Sequence, residues 1–71
     1  MNVLVFKTSV QDSLIVNVLK PSLDSLAGKG QWNFDLNDCD KILRIASTTV
    51  KPEAAIHLMG RFGVQCAELE G

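Results

Sequence analysis

The sequence has no tyrosine, one tryptophan, one histidine and two cysteines among its 71 residues. Two cysteines are too few for the disulfide framework of a small secreted domain, which predicts a reducing compartment. Basic and acidic residues nearly cancel, with 7 and 8 respectively and a net charge of -1, and this argues against a strongly basic nucleic-acid module. No apolar run approaches the roughly 20 residues that a membrane-spanning helix needs.

The amino terminus also lacks the features of a secretory signal. Residues 1–7 contain no basic segment, no long apolar stretch and no small-residue cleavage site. We therefore expect folded structure to begin near Met1 and the protein to be cytoplasmic. Hydrophobic residues make up 46% of the chain, and no repeat, linker or run of charge divides it. This composition predicts a single packed domain over residues 1–71.

The spacing of apolar residues predicts four strands and two helices. In chain order we predict a strand at 2–7, a helix ending near Leu26, strands at 31–36 and 41–46, a helix beginning at Pro52 and a strand at about 64–69. A βαββαβ order of this kind favours the α+β class. We expect a ferredoxin-like sandwich, with two helices on one face of a four-stranded antiparallel sheet.

Polar residues and glycines predict where the helices begin and end. Asp12 and the hydroxyl groups of Thr8, Ser9 and Ser13 are interpreted as caps of the first helix, and Asp12 would place a negative charge near its first turn. Glycine adopts left-handed backbone conformations without penalty, so Gly28 and Gly63 are expected to terminate the two helices.

Each predicted element presents one apolar face. The second strand alternates strictly, which puts Trp32, Phe34 and Leu36 on one side. The stripe of the first helix comprises Ile15, Leu19, Leu23 and Leu26, widened by Val16 and Val18. The face of the second helix comprises Ala55, Leu58, Met59 and Phe62. These faces are the predicted core.

Two stretches of the chain carry a resemblance to a known family. In the first, Leu19, Leu23, Leu26 and Gly28 are followed by Trp32, Phe34, Asp35 and Leu36. In the second, Lys51, Pro52 and Glu53 are followed by Ala55, Ile56, Met59, Phe62, Gly63 and Val64. Over nearly the whole chain this pattern resembles the heavy-metal-associated domain of copper chaperones and metal-transporting ATPases. Most of these positions are core or cap positions, so the resemblance implies a fold more than a function.

The resemblance further implies a metal-binding loop, and here that loop lacks its ligands. In the family, two thiolates of a G-M-x-C-x-x-C loop between the first strand and the first helix hold a soft ion such as Cu(I). Counting back from Gly28 places those cysteines at Asp12 and Ile15, and no cysteine occupies a neighbouring position. We therefore predict a degenerate metal site and no cofactor.

Three other residues are weak candidates for a non-standard metal site. Cys39, Cys66 and His57 are the soft or borderline ligands that the chain contains. In the predicted sheet the two cysteines lie on opposite edges, roughly 14 Å apart across three strand spacings. A shared ion needs much shorter separations, so a joint site within one subunit is not expected. The acids at 35, 38 and 40 are interpreted as turn residues, because the glycine and glutamate of a calcium loop are absent.

Catalysis and nucleic-acid binding find no support in the sequence. The single histidine lies in a predicted helix without an identifiable nucleophile, and no glycine-rich phosphate loop is present. RNA binding on this fold uses aromatic residues on the open face of the central strands. The predicted register turns Trp32 and Phe34 toward the helices instead. We therefore predict that the protein is not an enzyme and binds neither nucleic acid nor membranes.

The open face of the predicted sheet is the remaining candidate surface. Val3, Val5 and Ile42 are expected to form a small apolar strip there, with Lys7 and Arg44 beside it. Leu14 also points away from the apolar stripe of its helix. Small exposed apolar groups are ordinary on protein surfaces, and the alternative interpretation is an interface with a partner or a second copy.

From these patterns we predict a small non-enzymatic domain that binds a protein partner or forms a homodimer, through the open sheet face or the edge strands. Two alternatives stay open. The first is heavy-metal binding or transfer, of copper or zinc, through Cys39, Cys66 or a site between subunits. The second and weaker alternative is a small-molecule regulatory domain of the ACT type, which shares the βαββαβ order.

Overall fold

A computed structural model describes residues 3–47 and 49–69 of the chain. In chain order the elements are β1 (Val3–Thr8), α1 (Ser13–Ala27), β2 (Trp32–Asp35), β3 (Ile42–Ala46), α2 (Pro52–Arg61) and β4 (Cys66–Glu68). Each predicted element is present, although most are shorter than the sequence suggested. The start of the first strand was predicted at Asn2, which lies outside the described residues.

The four strands form one antiparallel sheet in the order β2-β3-β1-β4. β1 and β3 occupy the centre, and their register pairs Val5 with Arg44 and Phe6 with Leu43. β2 and β4 are the edge strands. The predictions of the α+β class and of a four-stranded antiparallel sheet with two helices are confirmed.

A single apolar core joins both helices to the same face of the sheet. The sheet contributes Phe6, Leu43 and Ile45, α1 contributes Leu19 and Leu23, and α2 contributes Ala55 and Met59, all fully buried. Burying a large aliphatic or aromatic side chain stabilises a fold by about 1.5–3 kcal/mol. Because both helices use this face, no helix within residues 3–47 and 49–69 covers the opposite face of the sheet.

The first helix begins later than the hydroxyl residues suggested. α1 starts at Ser13, and Asp12 is its N-cap residue, so the prediction that Asp12 caps this helix is confirmed. The prediction that Thr8 and Ser9 cap this helix is wrong, because both residues lie before the cap and bond elsewhere. The prediction for the other end is confirmed, since Gly28 follows α1 with a left-handed φ of 100°.

The second helix ends in a Schellman motif, as a glycine at position 63 predicts. The amide of Gly63 donates to the carbonyl of Gly60, and the amide of Val64 donates to that of Met59. Gly63 has a φ of 74°, a conformation that side chains disfavour. Phe62 is consequently the C-cap residue and is 43% exposed, so its placement within the apolar face of the helix is wrong.

Among the described residues, no helix is both long and apolar enough to cross a membrane.

Candidate functional site

The loop between β1 and α1 is tied to its neighbours by hydroxyl groups. The buried Thr8 donates from Oγ1 to the carbonyl of Lys41, and its oxygen accepts from the amide of Val10 at 3.3 Å. The next residue, Ser9, exchanges bonds with Gln65, accepting from its amide at 2.9 Å and donating its own amide to the carbonyl at 3.0 Å. These bonds connect the loop to the residue before β3 and to the residue before β4.

Asp12 and Ile15 stand where the resemblance places two cysteines, and both have structural partners. Oδ1 of Asp12 accepts from the amides of Leu14 at 3.0 Å and Ile15 at 3.2 Å. These bonds satisfy amides that a helix amino terminus otherwise leaves unpaired. Ile15 is partly buried and packs against the core. A capping carboxylate therefore occupies position 12 and an aliphatic side chain occupies position 15, where the resemblance implies two cysteines.

The turn between β2 and β3 brings together potential ligand atoms of Asp38, Cys39 and Asp40, all within 4.8 Å of one another. The two carboxylates also have partners in the protein. Asp38 accepts from the amide of Asp40 at 2.8 Å, and Asp40 lies 3.8 Å from the ammonium group of Lys7. Cys39 is exposed. The predicted turn is confirmed, with its carboxylates engaged in turn and ion-pair contacts.

Cys66 lies at the opposite edge of the sheet, on β4, where it pairs in register with Thr8. It is partly buried against the core, and this burial raises the pKa of its thiol to about 11. A shallow hollow of about 300 Å³ lies alongside and is also lined by Ser9 and Gln65. The raised pKa keeps the thiol protonated near neutral pH, which disfavours metal ligation and nucleophilic chemistry.

The structure does not bring the three weak metal candidates together. Cys39 lies in the β2–β3 turn, Cys66 lies on β4, and His57 lies exposed on α2. The two cysteines are free thiols. Among the described residues, the turn at 38–40 supplies the one group of three potential ligands close enough to share an ion.

The face of the sheet opposite the helices carries part of the predicted apolar strip. Val3 is 49% exposed and Val5 is partly buried beside it. Ile42 is only 5% exposed, so its assignment to an exposed strip is wrong. It lies between Lys7 on β1 and Asp35 on β2, and the charged side chains of both neighbouring strands limit its contact with solvent.

Two ion pairs neutralise the charges of this open face. Lys7 pairs with Asp40 at 3.8 Å, and Arg44 pairs with Asp35 at 3.9 Å. All four side chains are at least 40% exposed, and such pairs contribute little to stability. Two shallow hollows, of about 460 and 230 Å³, lie on either side of Asn33 and Arg44. The face is therefore shallow, close to neutral and partly apolar.

Leu14 belongs to a different surface. It is 72% exposed on α1, in the layer of helices, and Val18 one turn later is 60% exposed. The prediction that Val18 widens the core stripe is wrong. Leu14 therefore cannot act together with Val3 and Val5, because the sheet separates the helices from its open face.

Comparison of the chain with protein-family models, with curated proteins and with solved structures gives no match.

Proposed function

We propose that this chain is a non-enzymatic protein-binding module of ferredoxin-like fold, and that the open sheet face is its docking surface. One observation carries the proposal. Both helices pack on one face of the sheet, and the other face presents Val3 and Val5 beside two ion pairs whose charges cancel. Burying an exposed valine against a partner removes apolar area from water, which is the main favourable term in protein association.

The charges of this face favour a protein partner over nucleic acid. Lys7 and Arg44 each have a carboxylate within 4.0 Å, so neither offers an isolated positive charge to a phosphate backbone. The rings of Trp32 and Phe34 pack against the core and do not stack on the open face. A partner surface with an apolar centre and few charges is the best complement.

The β1–α1 loop supports a role other than soft-metal transfer. We infer that the domain shares its architecture with the heavy-metal-associated family and has lost that family's thiolate site. The oxygen atoms of Thr8, Ser9 and Asp12 serve as hydrogen-bond partners within the protein. A soft ion such as Cu(I) prefers sulfur ligands, which this loop does not supply.

Site-specific photo-crosslinking tests the docking surface. A benzophenone side chain is placed at Val3 on the open face, and in a second variant at Ile56, an exposed apolar residue of α2 that serves as the matched control. We expect one protein to crosslink at position 3 and not at position 56, and an excess of unlabelled protein to compete it away. Equal crosslinking at both positions, or none at position 3, would overturn the proposal.

A second candidate function is metal binding at the β2–β3 turn, favoured by the proximity of Asp38, Cys39 and Asp40. Titration of the reduced protein with Zn(II) and Cu(I) against a competing chelator tests it, with Cys39→Ser and Cys66→Ser as paired variants. Tight stoichiometric binding that is lost only in Cys39→Ser supports this second function. Binding no tighter than that of the chelator removes it.

A further inference from the structure

The outer edge of β2 carries backbone groups that point away from the sheet. The amide of Ala46 donates to the carbonyl of Gln31 at 2.7 Å, and these residues continue the register of β2 with β3. In an antiparallel ladder, alternate residues bond to the neighbouring strand. The backbone N–H and C=O groups of Asn33 and Asp35 therefore point toward β3. The corresponding groups of Trp32 and Phe34 point outward, away from the sheet.

The aromatic side chains of β2 are fixed by contacts within the protein. Trp32 and Phe34 are partly buried and pack edge to face, with ring centroids 6.1 Å apart. Nε1 of Trp32 donates a 2.8 Å hydrogen bond to Oδ1 of Asp24 on α1. A strand fixed in this way loses little conformational freedom when another strand pairs with it.

We propose that a second copy of this chain pairs with β2 in antiparallel orientation, which joins two four-stranded sheets into one continuous sheet. With the two-fold axis at Asn33, Trp32 of each copy lies opposite Phe34 of the other, and their outward backbone groups bond reciprocally. The aromatic rings of the two copies then meet on the helix side of the sheet, where cross-strand aromatic pairs are stabilising.

The charges along β2 are compatible with this self-pairing. The two-fold register places Asp35 of one copy opposite Gln31 of the other, so the carboxylates do not face each other. Asp35 also lies 3.9 Å from Arg44 of its own chain, which reduces the cost of placing it at an interface. Asn33 meets its own equivalent on the axis, where two neutral amides can exchange hydrogen bonds.

β4, the other edge strand, is less suited to the same role. It has three residues where β2 has four. Its outward backbone groups belong to Cys66 and Glu68, because the amide of Leu69 donates to Val5 and that of Ser9 donates to Gln65. Glu68 is exposed and brings no apolar area to a partner. A short strand with an exposed charge is a feature that natural proteins use to discourage edge pairing.

Amide hydrogen exchange, measured by NMR on the unmodified protein from micromolar to millimolar concentration, tests the proposal. We expect exchange at Trp32 and Phe34 to slow as concentration rises, while exchange at Cys66 and Glu68 is unchanged. Sedimentation equilibrium over the same range should show the mass rising from 7.7 kDa toward twice that value. A constant mass of 7.7 kDa, or slowing confined to Cys66 and Glu68, would overturn it.

Two lysine substitutions test whether the dimer forms through β2 and not through the other edge strand, β4. Asn33→Lys puts two positive charges face to face on the two-fold axis. Ala67→Lys puts the same charge on the same face at the other edge strand, and both positions are exposed. We expect Asn33→Lys to be monomeric and Ala67→Lys to remain dimeric, with circular dichroism confirming that both fold. A dimer that survives Asn33→Lys contradicts the proposal.

A backbone change with no effect on side-chain charge provides a second check. In a chemically synthesised chain, an N-methyl group on Phe34 removes an outward donor, and an N-methyl group on Glu68 is the matched control. We expect only the first to abolish the dimer. Partner binding at the open face is tested independently of this dimer. Val3→Asp should weaken partner binding and leave the dimer intact.

Discussion

Nε1 of Trp32 lies 2.8 Å from Oδ1 of Asp24, and this hydrogen bond connects edge strand β2 to helix α1. The indole N–H would otherwise be a partly buried donor at the border of the core. Such a donor requires a partner, because leaving it unpaired costs about as much as losing a hydrogen bond. The pair thus fixes the helix over the strand and orients the aromatic edge of the sheet.

We predict that Asp24→Ala lowers the free energy of unfolding by about 1–2 kcal/mol, because the indole N–H loses its acceptor. Urea denaturation measures the change. In a Trp32→Phe background the same substitution should have a much smaller effect, since phenylalanine has no N–H to satisfy. Equal effects in both backgrounds would show that Asp24 acts independently of Trp32.

The buried hydroxyl of Thr8 is expected to matter more than its methyl group. Thr8→Val should lower the free energy of unfolding by about 1–3 kcal/mol, because the carbonyl of Lys41 and the amide of Val10 both lose a partner. Thr8→Ser keeps the hydroxyl and should be closer to the unmodified protein in thermal denaturation. The prediction fails if the serine variant is as unstable as the valine variant.

Removal of the N-cap carboxylate should weaken the first helix. We expect Asp12→Ala to lower the free energy of unfolding by about 1 kcal/mol, and Asp12→Asn to lower it by less, since asparagine caps nearly as well as aspartate. Chemical denaturation of the two variants checks this ranking. An alanine variant as stable as the asparagine variant would contradict the capping role.

The thiol of Cys66 should give stability a specific dependence on alkaline pH. Burial raises its pKa from 9.0 to about 11, so between these values the unfolded chain releases a proton that the folded chain retains. The unfolded state then binds fewer protons, and stability falls as pH rises through this window. We expect denaturation midpoints to fall less steeply with pH in Cys66→Ala. Identical slopes would refute the assignment.

The same property predicts an order of thiol modification. Iodoacetamide at pH 8 should alkylate the exposed Cys39 well before Cys66, because the thiolate is the reacting species and burial disfavours it at Cys66. Peptide mass spectrometry over time resolves the two sites. Faster alkylation of Cys66 would contradict the structure at β4.

The periodicity of the sequence predicted the elements and most of the core. Alternation at 32, 34 and 36 and the three-and-four spacing of Leu19 and Leu23 depend on local geometry, which a single chain segment expresses directly. Glycines at 28 and 63 likewise act locally, because each follows a helix in a left-handed conformation. Such features can be predicted from one segment of the chain without information about the elements that pack against it.

The predictions that failed concern side chains whose hydrogen bonds or burial depend on residues far away in the sequence. Thr8 and Ser9 were predicted to cap the nearest helix, but their hydroxyl groups bond Lys41 and Gln65, far away in sequence. Ile42 was predicted to be exposed because its strand alternates, whereas ion-paired side chains on both neighbouring strands limit its exposure. Neither long-range contact leaves a local signal.

We propose that the open sheet face binds a protein partner. Isothermal titration calorimetry with the protein recovered by crosslinking at position 3 tests it most directly, using Val3→Asp and the matched variant Ile56→Asp. A buried charge opposite an apolar partner should weaken binding by about tenfold or more in Val3→Asp, equivalent to about 1.4 kcal/mol, and leave Ile56→Asp unchanged. Unchanged affinity in Val3→Asp, or a loss confined to Ile56→Asp, would contradict the claim.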